Sequence, residues 1–228
     1  MGQDGRGPPT DSAAETDGWM KRRPASNAWQ WSRSAQTRRV LLEAAREEFA
    51  AHGFDGASVA GMVERAGSSV GSLYHHFGGK AELFVALWQD HTDAQEQRAV
   101  SAVAKARAAG EEDPLTLFIA GARAFLDGSW ADRDVARLFL TGDGPPGFEV
   151  MRRGRAHEWI RQNAVLLGAS ADPVDRMTVT VLTTLIGEAA REIAAAGSRK
   201  QAATLADAAI TLIRRIDPVH TASDGPDT

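Results

Sequence analysis

The sequence contains no cysteine, which removes disulfides and thiolate-ligated metal sites from consideration. It has no uninterrupted apolar run near the ~18 residues that a membrane-spanning helix needs. The opening MGQDGRGPPT has no apolar stretch of the kind that marks a secretory signal. Period-2 alternation of β-branched residues is missing as well, so no sheet is expected. What is present is ordinary for a water-soluble globular protein: 43% hydrophobic and 25% charged residues in a chain of 228, enough for one large domain or two small ones. These absences predict an all-α, cytoplasmic protein that does not partner a membrane.

The net charge of −4 is unevenly spread. Lys21, Arg22, Arg23, Arg33, Arg38 and Arg39 face only Asp17 between residues 17 and 39. A basic stretch on an acidic body suits one end approaching phosphates. It suits a solvated charged arm equally well, and charge alone does not decide between them.

Residues 1–32 are rich in Gly, Pro, Ser and charge, and read as a flexible arm that carries Trp19, Trp29 and Trp31. From Gln36 a helical period sets in (Val40, Leu41, Ala44, Ala45, Phe49), closed by His52-Gly53. Short helical pieces fill the rest of a domain expected at 33–84. Beyond it, a second domain at 85–217 reads as helix throughout. One pattern runs from Lys80 towards Ala108, a stripe from Leu115 to Leu126 follows, then a short helix over Val135–Leu140 and another helix over Phe148–Leu167, closed by Gly168. Pro173 then opens a long helix at its first turn, and a last one spans Lys200–Ile216. Residues 218–228 read as a disordered tail.

The segment SVAGMVERAGSSVGSLYHHF, Ser58 to Phe77, carries the functional signal. Ser58 is placed to cap a short helix whose inward face is Val59, Met62, Val63 and Ala66. Gly67 permits a sharp turn, Ser68 or Ser69 caps a second helix, and Val70, Leu73, Tyr74 and Phe77 supply its contacts. Helix, glycine-bearing turn, helix is the pattern of a helix-turn-helix, whose second helix can enter a DNA major groove. A plain helical hairpin has the same pattern. Gly71 within the second helix costs about 0.5–1 kcal/mol relative to Ala, which suggests a close approach to DNA or to the partner helix.

The run from Arg38 to Leu83 resembles the DNA-binding domain of the TetR family of transcriptional regulators. The resemblance lies in Ala44-Ala45, Phe49, Gly53-Phe54, Ser58, Ala66-Gly67, Ser69, Gly71, Leu73-Tyr74, His76-Phe77, Lys80 and Glu82-Leu83. Two positions depart from it: Ser68 stands where the family usually has Val, and Val63 where a small Ala is common. The resemblance implies that Arg38, Ser58, Tyr74, His75 and Lys80 touch phosphates. It also implies that Ser69, Val70 and Ser72 face base edges, Val70 against a thymine methyl. It further implies a homodimer on palindromic operator DNA, joined through the last two long helices. Their small residues (Gly187, Ala190, Ala194; Ala202, Ala206, Ala209) allow close helix approach.

No enzyme is expected, and no cofactor or metal. Gly142, Gly144 and Gly147 match G-x-G-x-x-G, yet no strand precedes them, and Pro145 and Pro146 lack the N–H groups of a phosphate cradle. Gly79-Lys80 is followed by Ala81, so no Walker pair exists. His75 and His76 are adjacent on a helix and do not form a chelate. In the second domain Trp88, Phe118, Phe125, Trp130, Phe139, Trp159 and Met177 are candidates for the apolar pocket of a small-molecule effector, with the basic cluster Arg152, Arg153, Arg155 and His157 nearby in sequence. The rival reading is an all-helical carrier or interaction module without DNA binding. Residues 33–84 favour it slightly, being neutral overall with six basic and six acidic residues.

Overall fold

Four helices, among them the two that begin at prolines, start where a side chain satisfies an orphan N–H group. The Asp113 side chain accepts from the Thr116 N–H at 2.8 Å ahead of Pro114, and Asp172 accepts from the Val174 N–H at 2.7 Å ahead of Pro173. Both pair an Asp cap with a Pro at the first helical position. The computed structural model describes residues 25–140 and 143–216, with side chains in residues 33–139 and 143–216. Among these there are nine helices and no strand: α1 (Ala25–Gly56), α2 (Val59–Arg65), α3 (Val70–Phe77), α4 (Lys80–Ala108), α5 (Pro114–Ala131), α6 (Arg133–Leu140), α7 (Phe148–Leu166), α8 (Pro173–Ala195) and α9 (Arg199–Ile216).

The described residues divide into two compact units that part between Arg39 and Val40. In the first, helix already exists at Ala25, eleven residues before the start expected from periodicity and inside the expected arm. Trp19 and the tail from 217 lie outside the described residues.

The second unit holds two clusters of buried apolar side chains. The first joins Leu41, Phe49, Phe54, Met62 and Leu73 to Phe84, Trp88, Phe139 and Phe148. Phe84 sits at its centre, with its ring 5.2 Å from Phe49, 5.1 Å from Phe54, 5.4 Å from Phe139 and 5.0 Å from Phe148, all close to edge-on. Edge-to-face pairs add about 0.5–1.5 kcal/mol each beyond the area they bury. Phe84 and Trp88 fall on either side of the domain boundary expected after residue 84, yet they share this core. The second cluster packs α5, α8 and α9 with the end of α7 through Phe118, Leu126, Leu167, Leu182, Ile193 and Ile213. Ala202, Ala206 and Ala209 are buried in it, and Ala194 is buried as well. These small residues let α8 and α9 pack within one chain.

The glycine-proline stretch is a structural loop. Asp143 accepts the Phe54 N–H at 3.2 Å, and the Pro145 carbonyl accepts the Phe148 N–H at 3.0 Å. Gly53, at φ +69, bends the chain where a Cβ would stand 2.8 Å from the Asp143 carboxylate. Gly142 lies outside the described residues.

His91 on α4 stacks at a tilt on Phe139, 5.7 Å between ring centres. Burial pushes its imidazole below the usual 6.5, and Arg98 and Arg46 act in the same direction; Asp132 and Asp90 oppose them. The unfolded chain therefore takes up this proton first, and the stability carried by neutral His91 is present above about pH 6.5 and lost as pH falls below it. The expected outcome is a drop in the urea midpoint between about pH 7.5 and 5.5 that is smaller in His91→Gln than in the parent chain. Equal drops in both would contradict this assignment.

Candidate nucleic-acid interface

The Ser58 hydroxyl accepts from the Gly61 N–H at 3.0 Å and starts α2. The Ser69 hydroxyl accepts from the Ser72 N–H at 3.1 Å and starts α3. Gly67 between them has φ +55, and no atom lies within 4 Å of where its Cβ would be. Only backbone conformation therefore requires glycine there. Met62, Val63 and Leu73 are buried against α1 and α4.

The opposite face of α3 is open. Val70 is 48% exposed and Tyr74 53%, with Ser69, Gly71 and His75 exposed beside them and Ser72 half-buried. A Cβ on Gly71 would meet only the Ser69 hydroxyl, at 4.0 Å, so contact with the partner helix does not explain this glycine. The rings of His75 and His76 lie 5.3 Å apart. Among the described residues no group of three His, Asp or Glu side chains is placed to hold a metal ion. Arg38 belongs to the first unit, where it is exposed on α1.

Periodicity gave no sign of what orients α2. A capping box pairs an N-cap serine with a Glu three residues later, whose carboxylate returns to the N-cap N–H. Here that third position is Gly61. Its partner comes from another helix: Glu48 of α1, 5% exposed, accepts the Ser58 N–H at 3.2 Å. The Glu48 carboxylate fills the space of a side chain at 61, since a Cβ there would stand 2.7 Å from its Oε1. Arg65 completes the arrangement, 3.0 Å from Glu47 and 3.6 Å from Glu48. The partner lies ten residues away on another helix, and the one hint in the sequence is the glycine where a capping box has its Glu.

Lys80 is tied inward. Its ammonium donates to the carbonyls of Ala57 at 3.0 Å and Asp55 at 3.3 Å, and lies 4.7 Å from the Phe54 ring centre. It thus latches the α1–α2 connection onto the start of α4 and keeps one N–H for another acceptor.

A second site lies between α4, α5, α7 and α8, a cavity of about 440 Å³. Phe118, Phe125 and Trp159 line it, with Phe125 and Trp159 edge to face at 5.3 Å. The other four pocket candidates lie elsewhere. Trp88 and Phe139 are buried in the core around Phe84, where aromatic packing claims them. Trp130 packs on the second core beneath the Arg133 guanidinium, 4.5 Å away. Met177 is 60% exposed. The polar lining, Glu96, Arg107, Gln162, Asn163 and Thr183, was not anticipated, because its five members come from three helices far apart in sequence. Of the basic cluster, Arg155 reaches this wall through Glu96 at 2.5 Å.

Two short capped helices around a glycine turn, with a buried inner and an open outer face, define a helix-turn-helix domain. Residues 41–87 match the family profile described as bacterial regulatory proteins, tetR family, and this segment is a tetR-family domain. Over 51 residues it is 49% identical to the HTH-type transcriptional repressor AcnR of Corynebacterium efficiens, which is 22% of this chain and 27% of that one. The HTH-type transcriptional activator FasR of Mycolicibacterium smegmatis is 37% identical over 75 residues, 32% of this chain and 34% of that one. The chain therefore matches only about a third or less of the length of these relatives. The fold extends further. A TetR-like transcriptional regulator from Rhodococcus sp. RHA1 superposes with a TM-score of 0.61 at 23% identity, over 78% of this chain and 94% of that one. A transcriptional regulator from Aquifex aeolicus VF5 gives 0.61 at 18% identity, over 79% and 99%.

The Glu48 arrangement makes a directional prediction. Glu48→Ala costs about 1–3 kcal/mol by stranding the Ser58 N–H. Gly61→Glu is destabilising in the parent chain, where Glu48 fills the space. It regains about 1 kcal/mol in the Glu48→Ala background, where the space is vacated, by restoring a local capping box. Urea melts of the four proteins decide it; additive effects would show that the two positions do not share one site.

Proposed function

We propose that this chain is a transcriptional regulator that binds palindromic operator DNA as a homodimer and releases it when a small molecule occupies the cavity. The observation that carries the reading is the open face of α3. A Val and a Tyr at about half exposure on an eight-residue helix with a serine N-cap stand on a face that the described residues leave open, and a major groove about 12 Å wide accepts such a helix. Ser69, Val70 and Ser72 face base edges; Ser58, Tyr74, His75 and the remaining N–H of Lys80 reach phosphates. Gly71 keeps the helix backbone close to the groove floor. Short side chains give modest direct readout, so operator shape contributes to recognition. We read the effect as repression, in line with AcnR, and place it in the cytoplasm with the DNA. A carrier without DNA binding leaves this face of α3 unexplained.

Exposed apolar side chains on α8 and α9 support the dimer. Val174, Met177 and Val181 are 46–60% exposed on α8, and Leu212 and Ile216 are 47% and 37% exposed on α9. At spacings of three and four they form a stripe on each helix. Two copies of this surface joined by a two-fold axis bring two α3 helices to successive major grooves.

The test is fluorescence anisotropy with DNA flanking the chain's own gene, at several salt concentrations. Lys80→Met is expected to weaken binding equally on all sequences and to lower the salt slope by about one, with a loss of stability from the cut α1–α2 latch. Met177→Glu is expected to sediment as a monomer and to lose operator binding. A Lys80→Met protein with altered sequence preference, or a Met177→Glu protein that stays dimeric, contradicts the corresponding assignment.

A further inference from the structure

The cavity is a slot along α4. Its α4 wall runs from Glu96 to Arg107, about 16 Å of helix axis. α5 lies antiparallel to that wall: Gly128 faces Gln95 and Arg98, while Gly121 faces Ala99 and Val103. Phe125 therefore sits toward the Glu96 end and Phe118 toward the Arg107 end. Between them the lining is Val100, Val103, Leu166 and Ile186, apolar and without charge.

The charges at the two ends differ in one respect. Glu96 is committed: one oxygen accepts from Arg155 at 2.5 Å and the other from Gln162 at 3.0 Å. The polar pair midway is committed too, with the Asn163 amide donating to the Thr183 hydroxyl at 3.0 Å. Arg107 is exposed at the other end, and no carboxylate among the described residues pairs with it. A long apolar slot with one uncommitted guanidinium at its end has the chemistry of a receptor for an anionic amphiphile. Guanidinium recognises carboxylate or phosphate by paired hydrogen bonds, and the apolar wall takes the body.

We infer that the slot binds a long, mainly apolar molecule with a single anionic group, its body along Val103, Phe118 and Phe125 and its anion on Arg107. This rests on the reading of the cavity as the effector site, and the experiment separates the two. Decanoate, 1-decanol and decylamine share one chain and differ in head group, and their binding to the full-length protein without DNA is measured by calorimetry. Decanoate is expected to bind most tightly, and Arg107→Gln to weaken it about tenfold while leaving 1-decanol unchanged. Gly187 also lines the slot, with nothing within 4 Å of its Cβ position. Gly187→Phe, confirmed as folded and of unchanged mass by sedimentation, is expected to reduce binding of decanoate and 1-decanol alike. Equal affinity for decanoate and 1-decanol, preference for decylamine, no binding by any of the three, or decanoate binding indifferent to Arg107→Gln overturns the inference. Operator occupancy is then followed with decanoate present. Arg107-dependent binding that leaves the DNA bound would sustain the ligand class and refute the effector reading.

Discussion

The edge-on aromatic packing around Phe84 ties the helix-turn-helix to the helices that follow it. That ring touches Phe49 and Phe54 at the end of α1 and, on its other side, Phe139 of α6 and Phe148 of α7. The helix-turn-helix therefore has no core separate from the helices that follow it. Interiors packed at crystal density switch between discrete arrangements rather than deforming smoothly. A change in how α6 and α7 meet α4 is thus felt at α1, and through Leu73 at α3. α4 itself begins at the Lys80 latch and ends beside the cavity, so one helix of 29 residues contributes to both sites.

The magnitudes say what an effector must contribute. Moving an equilibrium from 1:99 to 99:1 takes a preference of about 5.5 kcal/mol between states. A charge-assisted hydrogen bond supplies about 1.5–3 kcal/mol, so an anion on Arg107 does not switch the protein alone. The apolar body has to supply the rest, at about 0.8 kcal/mol per buried methylene. Arg155 is the element best placed to transmit the change. It is held between Asp93 and Glu96 of α4 at 3.0 and 2.5 Å, and Glu96 lines the cavity, so the α4–α7 contact and the ligand site share a residue.

The sequence revealed what local chemistry dictates. Most helix periods, the serine cap at 58, a second at 68 or 69, the Gly67 turn and the start at Pro173 are decided within a few residues, and these were legible. Relations between distant segments were not. Trp88 and Phe139 read as pocket residues because size and polarity do not distinguish a core ring from a lining ring. Lys80 read as a plain phosphate contact because nothing in its neighbours says that the carbonyls of Asp55 and Ala57 come to it. Glu48 was invisible for the same reason, although the capping box lacks its Glu at Gly61. The cavity's polar lining assembles from α4, α7 and α8, which no linear pattern announces. The early start of α1 escaped because residues 25–35 mix Ala and Trp with Ser, Asn, Gln and Arg and show no sustained period.

The central claim, that α3 is laid into DNA twice per assembly, can be tested directly because the chain has no cysteine of its own. Val70→Cys provides a unique attachment point for an iron–EDTA cleavage reagent on the open face. With operator DNA bound, the account predicts two symmetric clusters of strand cleavage about one helical turn, roughly 34 Å, apart. Absent or scattered cleavage by a labelled dimer that still retards the DNA would contradict it.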